Sequence, residues 1–189
     1  MTCVIAIVSD NGSVVIAADS GGFQEAVKEV RAEPKVFQKH GALIGFSGCF
    51  RTGQIMEHVM DSSIQAMTNS VQAYEEPVRY LVSEFLPALL KTLKKHGCLT
   101  NENGVKTMNA ELLVAFGGRA FKIETDFNVS EIETVGAIGS AAHCALGFLS
   151  GLKASGRYMT AYDAALECLQ NISYTCTHVS EPFVALELY

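Results

Sequence analysis

The 189-residue chain contains no Cys-x-x-Cys pair and no histidines at metal-ligand spacing. It has no apolar run approaching the roughly 18–20 residues that a membrane-spanning helix needs. No basic region followed by a long apolar stretch opens it, so no signal peptide is expected. The histidines (His40, His58, His96, His143 and His178) are scattered, which excludes a recognisable metal site and leaves none of them a catalytic candidate. The cysteines (Cys3, Cys49, Cys98, Cys144, Cys168 and Cys176) mostly lie in apolar stretches, where a free thiol acts as a small hydrophobe. A reducing cytoplasm is the expected setting, without disulfides or zinc. Basic residues are too few for a nucleic-acid partner: 14 Lys and Arg stand against 20 Asp and Glu, a net charge of −6. Internal repeats, low-complexity tracts and linkers are also lacking.

What remains is apolar. Hydrophobic residues make up 49% of the chain and charged ones 18%, enough to bury a real core within one domain, residues 1–189. Some of that apolar surface has room to be hidden between subunits. Two β-branched runs, Val4 to Val8 and Val14 to Ile16, flank an Asn11-Gly12 turn and predict a hairpin. Extended segments are expected over 35–39 and 42–46, the second ending in a turn, Gly45-Phe46-Ser47-Gly48, that leads into a helix. Ile55, Met56, Val59, Met60, Ile64 and Met67 recur at helical spacing, as a core stripe or as a methionine-rich binding face. A second helix carries apolar residues from Val78 to Leu93, with Pro87 expected to kink or interrupt it. A polar loop over 96–108 precedes strands near 111–116 and 120–124, and a third strand is expected around 132–135. Helices over 141–152 and 160–175 and a closing strand over 183–188 complete the order. No βαβ alternation appears, which disfavours a doubly wound sheet. The pattern predicts an α+β fold: two antiparallel sheets stacked face to face and covered by helix pairs.

Chemistry concentrates at the N-terminal end. Thr2 heads a strand-like run directly behind Met1, and its small side chain is compatible with methionine removal. Removal would leave a free α-amine beside a hydroxyl, a nucleophile carrying its own base near neutral pH. Asp19 closes the apolar run Val14–Ala18, and Lys35 follows sixteen positions on, between Pro34 and Val36-Phe37. A buried lysine needs an acidic partner, and Asp19 is the natural one. The same pair also fits two exposed strand ends with an ordinary surface contact. Gly45-Phe46-Ser47-Gly48 places backbone N–H groups at a helix start, which suits an oxyanion hole. Gly139-Ser140 sits at another strand-to-helix turn, where a serine also serves as an N-cap.

In order and spacing, these pieces resemble the proteasome β-subunit family, and within it the bacterial HslV peptidase branch. The resemblance runs over essentially the whole chain. It rests on the threonine behind Met1, the run Val14-Val15-Ile16-Ala17-Ala18-Asp19, Lys35-Val36, the Gly-Phe-Ser-Gly segment, Ile138-Gly139-Ser140 and the terminal Phe183–Leu188. It implies an N-terminal nucleophile (Ntn) hydrolase of four layers, αββα. It further implies Thr2 as nucleophile and, through its α-amine, general base, with Asp19 orienting Lys35 and Lys35 tuning the hydroxyl. The Gly48 amide would hold the oxyanion and Ser140 would bond the amine. A substrate pocket would draw on Gly22, Glu33, Phe37, Phe46, Phe50 and Gln54, whose aromatic content implies a preference for apolar side chains. Family members form stacked homo-oligomeric rings, hexamers or heptamers, around a chamber that an AAA+ ATPase usually feeds. The implied substrates are peptides or proteins, and no cofactor, metal, nucleic acid or membrane is called for.

One position departs from the family pattern. Where the penultimate helix often carries an aspartate supporting the amine, this chain has Asn171, which hydrogen-bonds without charge. Retention of Met1 would also displace the amine. These points keep a catalytically silent ring or scaffold subunit in view as the alternative. A small-molecule amidase of the wider Ntn class is a third reading, and a cysteine nucleophile at Cys3 or Cys49 a minor one.

Overall fold

The computed structural model describes residues 2–24, 27–102, 104–157 and 159–189. Strands β1 (Val4–Val8), β2 (Val14–Ala18), β3 (Gly21–Gln24), β4 (Val27–Val30), β5 (Val36–Lys39) and β6 (Ala42–Gly48) come first. Helices α1 (Phe50–His58), α2 (Asp61–Thr68), α3 (Val71–Glu75), α4 (Pro77–Tyr80) and α5 (Leu86–Lys95) follow, with a π-helical turn, Leu81–Phe85, between the last two. Then come β7 (Leu99–Glu102), β8 (Val105–Met108), β9 (Ala110–Phe116), β10 (Arg119–Ile123), β11 (Val129–Ile132) and β12 (Val135–Ile138). Helices α6 (Ala142–Ala154) and α7 (Ala161–Ser173) and strand β13 (Val184–Leu188) end the chain.

The strands build two antiparallel sheets, ordered β12-β1-β2-β13 and β11-β10-β9-β6-β5, with β3-β4 and β7-β8 as separate hairpins. Period-2 alternation explains the stacking, because each central strand is apolar on both faces. From β1 and β2, Val4, Ala6, Val14, Ile16 and Ala18 turn to the second sheet and meet Leu43, Leu113, Ala115 and Ala120. The opposite faces, Cys3, Ile5, Val15 and Ala17, pack on Ala145, Leu149, Ala165, Cys168 and Leu169 of α6 and α7. Ile44, Leu112, Val114 and Phe121 of the second sheet pack outward on Met56, Ile64, Leu81, Phe85 and Leu89. Three apolar interfaces separate four layers, helices outside and sheets inside. The expected αββα architecture is the one observed.

Local chemistry accounts for most boundaries. Gly12 takes φ +82 in the first hairpin, where the Ser9 amide donates to Ser13 O and the Gly12 amide to Ser9 O. Ser70 and Thr160 cap α3 and α7 by accepting from the amides of Ala73 and Asp163. Pro87 has no N–H to give, and the chain adapts immediately before it. The turn widens so that the Leu86 amide bonds Leu81 O five residues back.

Several expectations need correction. Gly45-Phe46-Ser47 is no turn: it runs inside β6, paired from Gly45↔Leu113 to Ser47↔Glu111, and the chain leaves the strand only after Gly48. The methionine stripe spans two helices, because the chain breaks at Val59–Met60 between α1 and α2; Met56, Met60, Ile64 and Met67 are core and Val59 is exposed. The polar loop over 96–108 folds into the β7–β8 hairpin. The strand expected around 132–135 is the passage from β11 in one sheet to β12 in the other, and Gly136–Ile138 pair with β1. The hairpin β3–β4 had no counterpart in the sequence reading.

Gly45 marks a point of close approach between the sheets. A Cβ there would stand 2.7 Å from Val4 Cγ1 and 3.0 Å from Ile16 Cγ2, both on the facing sheet. Gly45→Ala should therefore destabilise the protein by overpacking, by about 1–3 kcal/mol, read from the midpoint of urea unfolding.

Candidate active site

The register of β1 on β2 decides what stands at the head of the first sheet. Val4 opposes Ala18, so the ladder continues past the strands to Cys3 and Asp19. The Asp19 amide donates to Cys3 O at 3.2 Å, and the Cys3 amide donates to Asp19 Oδ1 at 2.9 Å. The same Oδ1 accepts from Lys35 Nζ at 2.8 Å, while Oδ2 accepts from the Gly21 amide at 2.9 Å. Lys35 Nζ also donates to Gly21 O at 2.6 Å. Both side chains are sealed from solvent, Lys35 at 1% exposure and Asp19 at 0%. The surface-pair alternative is therefore excluded. Thr2 is itself buried and directly precedes Cys3, whose amide bonds this carboxylate.

Burial pushes the Lys35 ammonium below its ordinary range, and the Asp19 carboxylate opposes that shift by charge and hydrogen bond. Burial drives the Cys3 thiol far up, helped by Cys168 and Asp19. A thiol held neutral in this way is a poor nucleophile, which argues against the cysteine reading at Cys3.

One glycine turn closes on Thr2, and a second left-handed glycine ends β6. Gly139, at φ +93, lies so near that a Cβ would overlap Thr2 O and stand 3.3 Å from Ser47 Cβ. The turn delivers Ser140, whose Oγ is 3.4 Å from Thr2 N. Gly48, exposed at the end of β6, takes φ +90, and a Cβ there would overlap Asn109 O. Only glycine fits either position without strain.

Asn171 is not part of this cluster. It is exposed on α7 and donates through Nδ2 to Glu167 O of its own helix at 2.8 Å. The expected pocket residues divide. Phe37 and Phe46 are 6% and 5% exposed in the core beneath the helices, so neither offers an open wall. Gln54 is exposed on α1, and Glu33 is exposed and pairs with Arg31 at 3.7 Å. Gly22 and Phe50 remain near the cluster: the Phe50 ring centroid is 5.9 Å from Lys35 Nζ. Between them lies a residue the sequence reading missed. Arg31 stacks its guanidinium 4.1 Å over Phe50, and a Cβ at Gly22 would stand 3.2 Å from its Cδ. The surroundings of Gly22 are thus mixed aromatic and cationic rather than apolar alone.

Glu111 was also missed. It faces Ser47 across the β6–β9 ladder and accepts from Ser47 Oγ at 3.3 Å and from the Gly139 amide at 3.0 Å. The available signal was an acid near the head of the apolar run Ala110–Phe116, the same kind of interruption that singled out Asp19.

A buried threonine ahead of a central strand, packed on the Gly139 turn and followed by the residue whose amide shares Asp19 Oδ1 with a buried lysine, sits in the four-layer frame of the Ntn hydrolases. Solved structures share that frame. The complex of Thiobacillus denitrificans BPH with epoxomicin aligns at TM-score 0.77 and 18% identity, covering 98% of this chain and 97% of that one. BPH alone aligns at 0.76 and 16%, with the same coverage. HslV from Trypanosoma brucei aligns at 0.70 and 17%, covering 98% of each chain. No family model and no curated protein matches the chain. At these identities the likeness establishes the fold, which is that of HslV.

Lys35→Met would strand the buried Asp19 carboxylate and should cost about 3–5 kcal/mol in urea unfolding, with partial recovery in the Asp19→Asn/Lys35→Met double variant. Alkylation should also discriminate among the thiols. Iodoacetamide in native buffer should label exposed Cys144 well before buried Cys3 and Cys168, the latter pushed up to about 12 by burial, as read by peptide mass mapping.

Proposed function

We propose that residues 1–189 form a single-domain threonine-type peptidase subunit of the HslV and proteasome β kind, activated by removal of Met1. The observation that carries this reading is the shared oxygen Asp19 Oδ1, which holds both the Lys35 ammonium and the Cys3 amide behind Thr2. An ion pair this buried is weak evidence for stability, and a cation sealed on the carboxylate that holds the amide next to Thr2 suits it to catalysis.

With Met1 gone, Thr2 N becomes a primary amine 3.4 Å from Ser140 Oγ. It takes the Thr2 hydroxyl proton as Oγ1 bonds to the peptide carbonyl carbon, and Lys35 favours the developing negative charge on Oγ1. Strand β6 points its Phe46 N–H at Lys35 O, and alternation directs the Gly48 N–H to that same edge, as a donor for the carbonyl oxyanion. Collapse of the tetrahedral species breaks the C–N bond, and the amine leaves with the proton held on Thr2 N. Water then adds to the ester on Oγ1, giving up a proton to the same nitrogen, and the acid departs as Oγ1 is reprotonated.

Enclosure in a ring would give such a peptidase its selectivity, with an ATPase feeding unfolded chains and the cytoplasm as the setting. Apolar surface on the outer helices supports subunit contacts: Val71 is 71% exposed and Val82 52%, with Tyr74 and Val78 also exposed. No helix among the described residues is long and apolar enough to cross a membrane.

Intact mass before and after incubation with epoxomicin tests the reading. The expected result is a chain lacking Met1 that gains one inhibitor, with no adduct and no peptide hydrolysis in Thr2→Ala. Retained Met1 and no adduct would assign the chain to the silent ring subunit instead.

A further inference from the structure

Glu111 lies half-buried on β9, and its contacts join two parts of the site. Its Oε2 accepts from Ser47 Oγ, the residue before Gly48, and from the amide of Gly139, the residue before Ser140. Ser47 belongs to the second sheet and Gly139 leaves the first, so a single carboxylate ties both sheets together at the end where Thr2 sits. Its Oε1 is 3.4 Å from Lys122 Nζ, which fixes the remaining oxygen from the solvent side.

We propose that Glu111 is a positioning residue for the Thr2 site, a staple that sets the separation between the Gly48 amide and the Ser140 hydroxyl. A Cβ on Gly139 would fall against Thr2 O on one side and Ser47 on the other, and the left-handed glycine backbone leaves the turn free to swing once its amide is released. A swing would carry Ser140 away from Thr2 N, while Gly48, bound into the β6–β9 ladder, would stay behind. Reach is therefore the property that counts, and charge is secondary: the Gly139 amide needs an oxygen at this distance, which a glutamine also supplies.

This inference rests on Thr2 being the nucleophile, and the experiment separates the two. Glu111→Asp keeps the charge and loses the reach, whereas Glu111→Gln keeps the reach and loses the charge. Each variant, with Glu111→Ala, is compared with the parent in peptide hydrolysis, normalised to the sites titrated by epoxomicin. Misplacement of this kind costs about 10- to 100-fold in rate. The expected pattern is kcat per titrated site down by about that much in Asp and Ala, KM nearly unchanged, and Gln within about threefold of the parent. A purely structural role would instead lower the titratable fraction or the Tm and leave the rate per site alone. Should Ala fail to fold, the Asp and Gln pair decides. An Asp variant at the parental rate, or a Gln variant as slow as Asp, overturns the role of Glu111 while leaving Thr2 in place. A parent that takes no adduct overturns both.

Discussion

The hydrogen-bonded pair between Asp19 and Lys35 is the constraint on which the rest of the site depends. Lys35 lies before β5 in the second sheet, whereas Asp19 follows β2 in the first, so their contact spans the sandwich. It also gathers three backbone groups from two other residues: the Cys3 amide, the Gly21 amide and Gly21 O. Every oxygen of the carboxylate is thereby used. A charge pair in this position contributes little to net stability compared with an apolar replacement, but it admits only one arrangement of its neighbours. The strand ends, the start of β3 and the residue after Thr2 are placed by that requirement.

The parts of the site legible in the sequence were those announced by contrast. An acid ending an apolar run and a lysine beginning the next are costly unless paired, and Asp19 and Lys35 were readable for that reason. Glu111 carries the same contrast within Ala110–Phe116, yet its partners Ser47 and Gly139 lie 64 and 28 positions away, and nothing local points to them. Gly45 was misread because a glycine in sequence signals a turn, while its role is to let β6 approach β1 and β2 of the other sheet. Asn171 was misplaced by a rotation about α7: the helix was foreseen, but which face meets the sheet was not.

The fold was legible further than the boundaries were. Continuous apolar and β-branched runs identified the central strands because both of their faces are buried, one against the other sheet and one against helices. The short hairpins escaped because their strands are only partly apolar. Asn103-Gly104 is a hairpin signal as strong as Asn11-Gly12, but the surrounding polar residues disguised it as a loop. The helical region was resolved only as two segments, since α3 and the turn before Pro87 depend on how the chain wraps the sheet rather than on local propensity.

The layer between the two sheets differs in kind from the layers outside it. Its members are valine, isoleucine, leucine and alanine with glycine at a point of close approach, all short or branched and without an aromatic ring. The layer under α1 to α5 holds Met56, Met60, Met67 and Met108 beside its phenylalanines, side chains that reshape at little cost. Mechanically, the molecule is a stiff plate with a compliant skin on one side. Pressure from a neighbour on those helices would be taken up in methionine rotamers before it displaced the strand that carries Thr2.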